Sequence, residues 1–278
     1  MSFNIVATPI GNLDDISRRA IKVLENSEII LCEKKTRALK LLNYYNIRPK
    51  LLIPYHDDKF FNISRTVIEK INNGGTVSLI SDAGTPLISD PGHKLVSELI
   101  KVGIEPVSIP GPTSITSALT LSGTDISNFI FLGFLPRKNI KILEILKKNL
   151  CLGIPVVVFA NSRNLKLIVK IIDKNFQDSF VSISKEISKI HERTLRGSSK
   201  KILKNIDNSF YDKGEFVLVV KTSAEDTNNL EEKDLLELLD ILKQEGISLK
   251  KSVDILNKKL SMSKKTIYSE ALKKWDRD

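Results

Sequence analysis

The segment Thr76-Val-Ser-Leu-Ile-Ser-Asp-Ala-Gly-Thr-Pro-Leu-Ile-Ser-Asp-Pro-Gly92 constrains the fold more than any other. It opens with an apolar run, Val77 to Ile80, of the length and β-branched content of a buried parallel strand. It then breaks into acid, small residues, glycine and proline, which build a pocket wall rather than a core. In open α/β sheets the loops leaving the carboxyl ends of parallel strands converge, and ligands bind there. Gly84 permits close backbone approach, Thr85 offers a hydroxyl, and Asp82 supplies an acceptor for an amine or a ribose hydroxyl. A second acid-Pro-Gly turn, Asp90 to Gly92, precedes the helical pattern Leu95, Val96, Leu99, Ile100.

Two further segments repeat the design. Phe3 to Ala7 reads as a strand, followed by the loop Thr8-Pro-Ile-Gly-Asn-Leu-Asp-Asp15, with Asp15 or Ser17 as a helix cap. Pro106 to Ile109 reads as another strand, followed by Pro110-Gly-Pro-Thr-Ser114 and a small-residue helix from Ile115 to Leu121. That junction offers free backbone N–H groups at a helix start, suited to an anionic group. Neither the G-x-G-x-x-G spacing of a dinucleotide fold nor a phosphate-cradling G-x-x-x-x-G-K-[ST] occurs.

The pattern of runs implies an α/β protein in three parts. Residues 1–120 alternate short apolar runs with helical stretches, the signature of a largely parallel sheet. Leu121 to Asn128 reads as a hinge. A second α/β domain over 121–224 takes Phe129 to Leu132, Pro155 to Phe159, Phe180 to Ser184 and Glu215 to Val220 as strands. Thr222 to Asn229 is a polar linker, and 230–278 forms a basic helical module with periodic segments at Leu235 to Leu242, Leu249 to Leu260 and Lys264 to Trp275.

The motifs together resemble the tetrapyrrole methylase superfamily of S-adenosylmethionine-dependent methyltransferases. They are Val6-Ala-Thr-Pro-Ile-Gly-Asn-Leu-Asp-Asp15, Ser81 to Gly92, Pro110 to Ser114 and Phe131-Leu-Gly-Phe-Leu-Pro136. Weaker matches run through Lys185 to Lys189, Gly214 to Leu218 and the basic tail. The resemblance is strongest to the branch acting on the ribose 2′-hydroxyl of a cytidine in 16S ribosomal RNA. It implies a cofactor cleft between two α/β domains, a homodimer, and S-adenosylmethionine held by Pro9, Asp82, Gly84, Thr85, Ser114 and Ile115. Two departures fall on the substrate side. Glu33-Lys-Lys-Thr-Arg37 stands where the family has Glu-Asp-Thr-Arg, and Asn161 stands where relatives carry an acid.

A ribose hydroxyl is a poor nucleophile, so its methylation calls for a base or a cation that favours deprotonation. Glu33 and Glu186 are the candidate bases and Lys185 the candidate electrostatic helper. The net charge of +10 fits an RNA partner, either 16S rRNA or the small ribosomal subunit, and the distribution is more telling than the total. Basic residues crowd two stretches: Lys185 to Lys204, with Lys189, Arg193 and Arg196, and the tail, with Lys258, Lys259, Lys264, Lys265 and Arg277. Cys32 and Cys151 sit among apolar neighbours and read as buried free thiols, and His56, His93 and His191 lack metal-ligand spacing. The amino end lacks a basic-then-apolar leader, and no run of about 18 apolar residues occurs, so no membrane is involved and the expected location is cytoplasmic. Two rival readings stand beside this one: carbon methylation of a tetrapyrrole, and a non-catalytic RNA-binding protein that has lost its acidic pair.

Overall fold

The computed structural model describes residues 2–176, 179–205, 210, 213–222, 235–257 and 262–275. Linker residues 223–229, together with Lys258, Lys259, Leu260 and Arg277, lie outside the described residues.

Strand β1 (Ser2–Val6) lies inside the first sheet, paired on both sides, with residues buried on both faces as a covered parallel strand requires. With β2 (Ile29–Cys32), β3 (Leu51–Pro54), β4 (Thr76–Ile80) and β5 (Pro106–Ile109) it makes an all-parallel sheet of order β3-β2-β4-β1-β5. The order reverses between β4 and β1, and there a crevice opens at the carboxyl ends of the strands. Helices α1 (Arg18–Glu25), α2 (Lys35–Tyr44), α3 (Phe60–Asn72) and α4 (His93–Lys101) connect the strands. Ser17 caps α1 by accepting from the Ala20 N–H at 3.1 Å. Such a cap contributes about 1 kcal/mol, and the competing candidate Asp15 closes a short 3-10 turn instead.

The second sheet is mixed. Its strands are β6 (Ile130–Phe134), β7 (Val156–Asn161), β8 (Phe180–Lys185), β9 (Arg193–Ser198) and β10 (Glu215–Lys221), in the order β6-β7-β10-β8-β9. One face packs on α6 (Asn139–Leu150), α7 (Leu165–Asn175) and α8 (Ser199–Asn205) through a core that includes Val156, Val158, Val181, Ile183 and Leu218. The other face receives α5 (Ser114–Ser122), whose Ile115, Ala118 and Leu119 meet Val157, Val217 and Val219. So the chain leaves the first sheet at Pro110 to Thr113, and α5 already covers the second. The boundary placed at residue 120 from the sequence falls inside this helix. Gly123, at φ 75°, ends it in the left-handed conformation that glycine adopts without strain.

Helical stretches at 235–244, Leu249–Asn257 and Lys264–Trp275 enclose a separate small core of Leu235, Leu239, Val253, Leu256, Ile267 and Ala271. No helix among the described residues is long and apolar enough to cross a membrane. Cys32 is buried, and burial pushes its thiol up to about 11, so it packs as a small apolar group. Cys151 is only half-buried, because it caps the end of α6 rather than entering the core.

Candidate active site between the sheets

The three glycine- and proline-rich loops meet. After β1, the Thr8 N–H donates to the Gly84 carbonyl at 2.8 Å, and the Gly84 N–H returns a bond to the Thr8 carbonyl at 3.0 Å. This one-residue bridge fastens the β1 loop to the β4 loop. Gly84 has φ 82°, and a Cβ there would lie 3.3 Å from the Ile10 side chain, so backbone conformation and space both select glycine. Thr85 donates to the Pro112 carbonyl at 3.4 Å, which ties the β4 loop to the β5 loop. Thr113 then caps α5 by accepting from the Ile115 N–H.

These loops floor a cleft of about 430 Å³, and the second sheet supplies the opposite wall. From the first half come Ile10, Glu33, Lys34, Arg37, the run Asp82 to Thr85, Ile88 to Asp90 and Thr113 to Ile115. From the second come Phe134, Phe159, Asn161, Glu186, Lys189 and Glu215. The two halves also touch directly. A Cβ on Gly11 would meet the Ser188 carbonyl at 2.7 Å, the Asn12 N–H donates to the Ser188 hydroxyl at 3.3 Å, and that hydroxyl donates to Asp15.

Electrostatics divide the cleft. Asp82 accepts from the Lys34 N–H at 3.1 Å and pairs with the Lys34 ammonium at 3.2 Å and the Arg37 guanidinium at 3.5 Å. Lacking a side-chain cap of its own, α2 is capped by this carboxylate at its positive end. Lys34, a departure from the family pattern, is thus the partner of the cleft acid. Beyond it lies Asp90, whose carboxyl is pushed up to about 6 by burial, with the Glu33 and Asp82 charges adding to the effect and Ser81 opposing it. Leu87 at φ 74° and Ser89 at φ 65° hold this loop in backbone conformations that only the surrounding packing sustains. Asp90 was read from the sequence only as a turn residue. What raises its pKa comes from β2 and the β4 loop meeting in space.

The description of the tetrapyrrole (corrin/porphyrin) methylases matches residues 2–203. The chain belongs to that family. A ribosomal RNA small subunit methyltransferase I of Rickettsia prowazekii (strain Madrid E) is 35% identical over 272 residues, covering 97% of this chain and 96% of the relative. One from Coprothermobacter proteolyticus is 37% identical over 223 residues, covering 80% of this chain and 99% of its own length. The crystal structure of diphthine synthase superposes with a TM-score of 0.62 at 15% identity, over 84% of this chain and 95% of that one, and shows a shared fold.

In this methylase the residues named from the sequence sort by strand parity and loop position. Asp82, Gly84, Thr85, Ser114 and Ile115 line the cleft, as do Glu33, Glu186 and Lys189, whereas Pro9 is not among the lining residues. Lys185 faces away. It shares the strand face of Val181 and Ile183, donates to the Phe210 carbonyl at 2.9 Å and lies 5.2 Å from the Phe210 ring. Glu186 is already engaged: although burial pushes its carboxyl up, the Glu215 N–H at 2.8 Å and Lys189 at 3.2 Å hold it below the usual carboxylate range. A carboxylate satisfied in this way is a poor proton acceptor. Lys189 bridges Glu186 and Glu215, Arg196 donates to the Leu121 carbonyl, and the Arg193 guanidinium lies 5.7 Å from the Phe210 ring. Lys264 pairs with Asp254 at 2.7 Å, while Lys265 is exposed. Among the described residues no cluster of three His, Cys, Asp or Glu is placed to hold a metal ion.

Proposed function

We propose that this methylase transfers a methyl group from S-adenosylmethionine to the ribose 2′-hydroxyl of a cytidine in 16S rRNA. The observation that carries the reading is the cleft, where strand-end loops shaped for a cofactor lie beside Asp90, a carboxyl that burial pushes up to about 6. A hydroxyl acceptor needs a proton acceptor poised near neutrality, and a carboxyl of ordinary acidity would be a weaker one. The rRNA-methyltransferase name of a relative spanning nearly the whole chain supports ribosomal RNA as the substrate.

The cleft fits the cofactor on its own residues. The start of α5 presents Thr113 and Ser114, the β4 loop presents Gly84 and Thr85, and Ile10 and Ile115 supply apolar surface. A helix N-terminus favours a carboxylate, and the glycine backbone accepts a flat or bulky group at close range. Asp82 is oriented by Lys34 and Arg37 and retains acceptor capacity toward the cleft. Bound there, S-adenosylmethionine supplies an electrophilic methyl group with a neutral thioether as leaving group. The chain's own part is alignment and proton removal. The interlocked loops hold the donor side still, and Asp90 takes the acceptor hydroxyl proton. Alignment of this kind can be worth about 7 kcal/mol or more of barrier.

The basic helical module of 230–278 acts as an accessory RNA contact, the two α/β halves form the catalytic unit, and the assembly is a cytoplasmic homodimer. The test offers radiolabelled S-adenosylmethionine with small ribosomal subunits, free 16S rRNA and a uroporphyrin-type substrate in parallel. Label entering RNA at an alkali-resistant cytidine linkage is the expected result. Label entering only the pigment, or neither substrate, would overturn it.

A further inference from the structure

Phe134 stands on the cleft face only because its strand carries an extra residue. In the pairing of β6 with β7, Ile130 opposes Val156 and Phe131 opposes Val157, but the next partner of Val158 is Gly133 and that of Phe159 is Phe134. Leu132 is therefore the inserted residue of a β-bulge. Side chains alternate along a strand, and each extra residue reverses the faces beyond it. Ile130 and Leu132 pack against the α6–α7 core, and without the bulge residue 134 would follow them. With it, Phe134 joins Phe131 and Phe159 on the face shared with α5 and the cleft.

The three rings form a row. Phe131 and Phe159 meet edge to face at 4.9 Å, and Phe159 and Phe134 are 5.4 Å apart. Phe131 and Phe159 are half-buried, while Phe134 is 59% exposed and lines the cleft. An apolar ring turned by a bulge out of a core and into a polar cleft costs solvation, and its contact with Phe159 covers only part of it. Gly133, at φ 64°, makes the turn, and a Cβ there would lie 3.2 Å from the Ser89 hydroxyl. The same bulge thus brings Phe134 beside the loop carrying Asp90.

We propose that Phe134 is the stacking platform for the nucleobase of the methylated nucleotide, setting its ribose against Asp90. This rests on the RNA-methylation reading and names the residue that positions the acceptor. Protein aromatics hold unpaired bases by stacking, and a ring with one face open and its other side backed by a second ring is suited to it. The hydrogen-bonding edge of the base would remain free for polar neighbours such as Asn161 and Glu215.

The test compares Phe134→Ala, Phe134→Leu, Phe134→Tyr and Phe134→Trp in methyl transfer to purified small subunits. S-adenosylmethionine affinity is measured alongside by calorimetry, and folding by thermal melting. Loss of one base stack corresponds to roughly a 5- to 150-fold drop in kcat/KM for RNA. We expect that drop for alanine and leucine, recovery in the tyrosine and tryptophan variants, and cofactor affinity within about twofold of the parent throughout. Leucine restoring activity as well as tryptophan would reduce the role to apolar filling and overturn the stack. A parallel loss of cofactor affinity would assign the ring to the cofactor instead, also overturning it. A parent enzyme inert on every ribosomal RNA would overturn the acceptor reading itself. A fully active alanine variant of an active parent would overturn the platform alone.

Discussion

The two walls of the cleft are written in different ways. The wall from the first sheet is built of contiguous loops, Thr8 to Asn12, Ser81 to Gly92 and Pro110 to Ser114, each following a parallel strand. Its geometry needs glycine and proline at set places, so its chemistry and its backbone requirements coincide in short stretches of chain. The wall from the second sheet is made of strand ends: Phe134 from β6, Phe159 and Asn161 from β7, Glu186 beyond β8 and Glu215 from β10. Those residues sit far apart in the chain and meet only through register. In the proposed reading the donor side, with Asp90 at its rim, is thus a local property, whereas the rest of the acceptor side is a property of strand pairing. Substitutions on the two sides should separate cleanly in what they change.

The largest expected effect falls where the two walls meet. Asp90→Asn keeps the shape and removes the proton acceptor, so kcat/KM for RNA should fall about 10²- to 10⁴-fold with cofactor affinity nearly unchanged. The parent's rate should decline as pH drops below about 6, as the carboxyl becomes protonated, and the variant should lack that limb. The stability effect has the opposite sense. A carboxyl whose folded pKa is raised contributes favourably at low pH, and that contribution is lost as pH rises through the folded value. Asp90→Asn should therefore raise the melting temperature at pH 8 and leave it unchanged below about pH 4. A parent rate independent of pH between 5 and 7 would remove Asp90 from the chemistry.

The donor side should respond in binding. Asp82→Ala removes the acceptor that holds the Lys34 N–H and its ammonium, and unties the start of α2 from the β4 loop. Hydrogen bonds to a charged group contribute about 1.5–3 kcal/mol, so cofactor affinity should weaken roughly 10- to 100-fold by calorimetry. If affinity is unchanged while RNA turnover collapses, the division of labour between the walls is wrong.

How much of this was legible beforehand follows the same division. The strands at Phe3, Val77 and Pro106 and the loops after them were readable, because apolar runs ending in Gly-Pro-Asp clusters have few alternative meanings. β9 was not. Arg193-Thr-Leu-Arg-Gly-Ser198 has one large apolar residue and lies at a sheet edge, where charge replaces alternation, so it read as a basic run. Lys185 was read as facing the chemistry, and parity with Val181 and Ile183 turns it to the other side. Phe134 sits in a motif that was noticed, yet its direction depends on a bulge that no spacing announces. The altered acidity of Asp90 comes first from burial of its loop and then from Glu33, 57 positions earlier, and neither can be read from the chain before it folds.

The basic tail should give the smallest effect, because much of its charge is spent within the module. Lys264 pairs with Asp254 at 2.7 Å, Lys273 with Glu270, and Lys274 with Asp240 while donating to the Leu236 carbonyl at 2.9 Å. A cation already held by a carboxylate releases fewer counterions when it approaches a phosphate, and so adds less to the salt dependence of binding. Lys265 is exposed on the same helix as Lys264. Lys265→Gln should lower the slope of log affinity against log salt by about 1, whereas Lys264→Gln should lower it by less. Both should leave the maximal methylation rate on small subunits unchanged at saturating RNA. Filter binding across a salt series reads the slopes directly. Equal slopes for the two variants would mean that the pair with Asp254 opens on binding RNA. A fall in the maximal rate would move the module from a peripheral contact to the positioning of the acceptor, and the two-walled description of the cleft would need a third side.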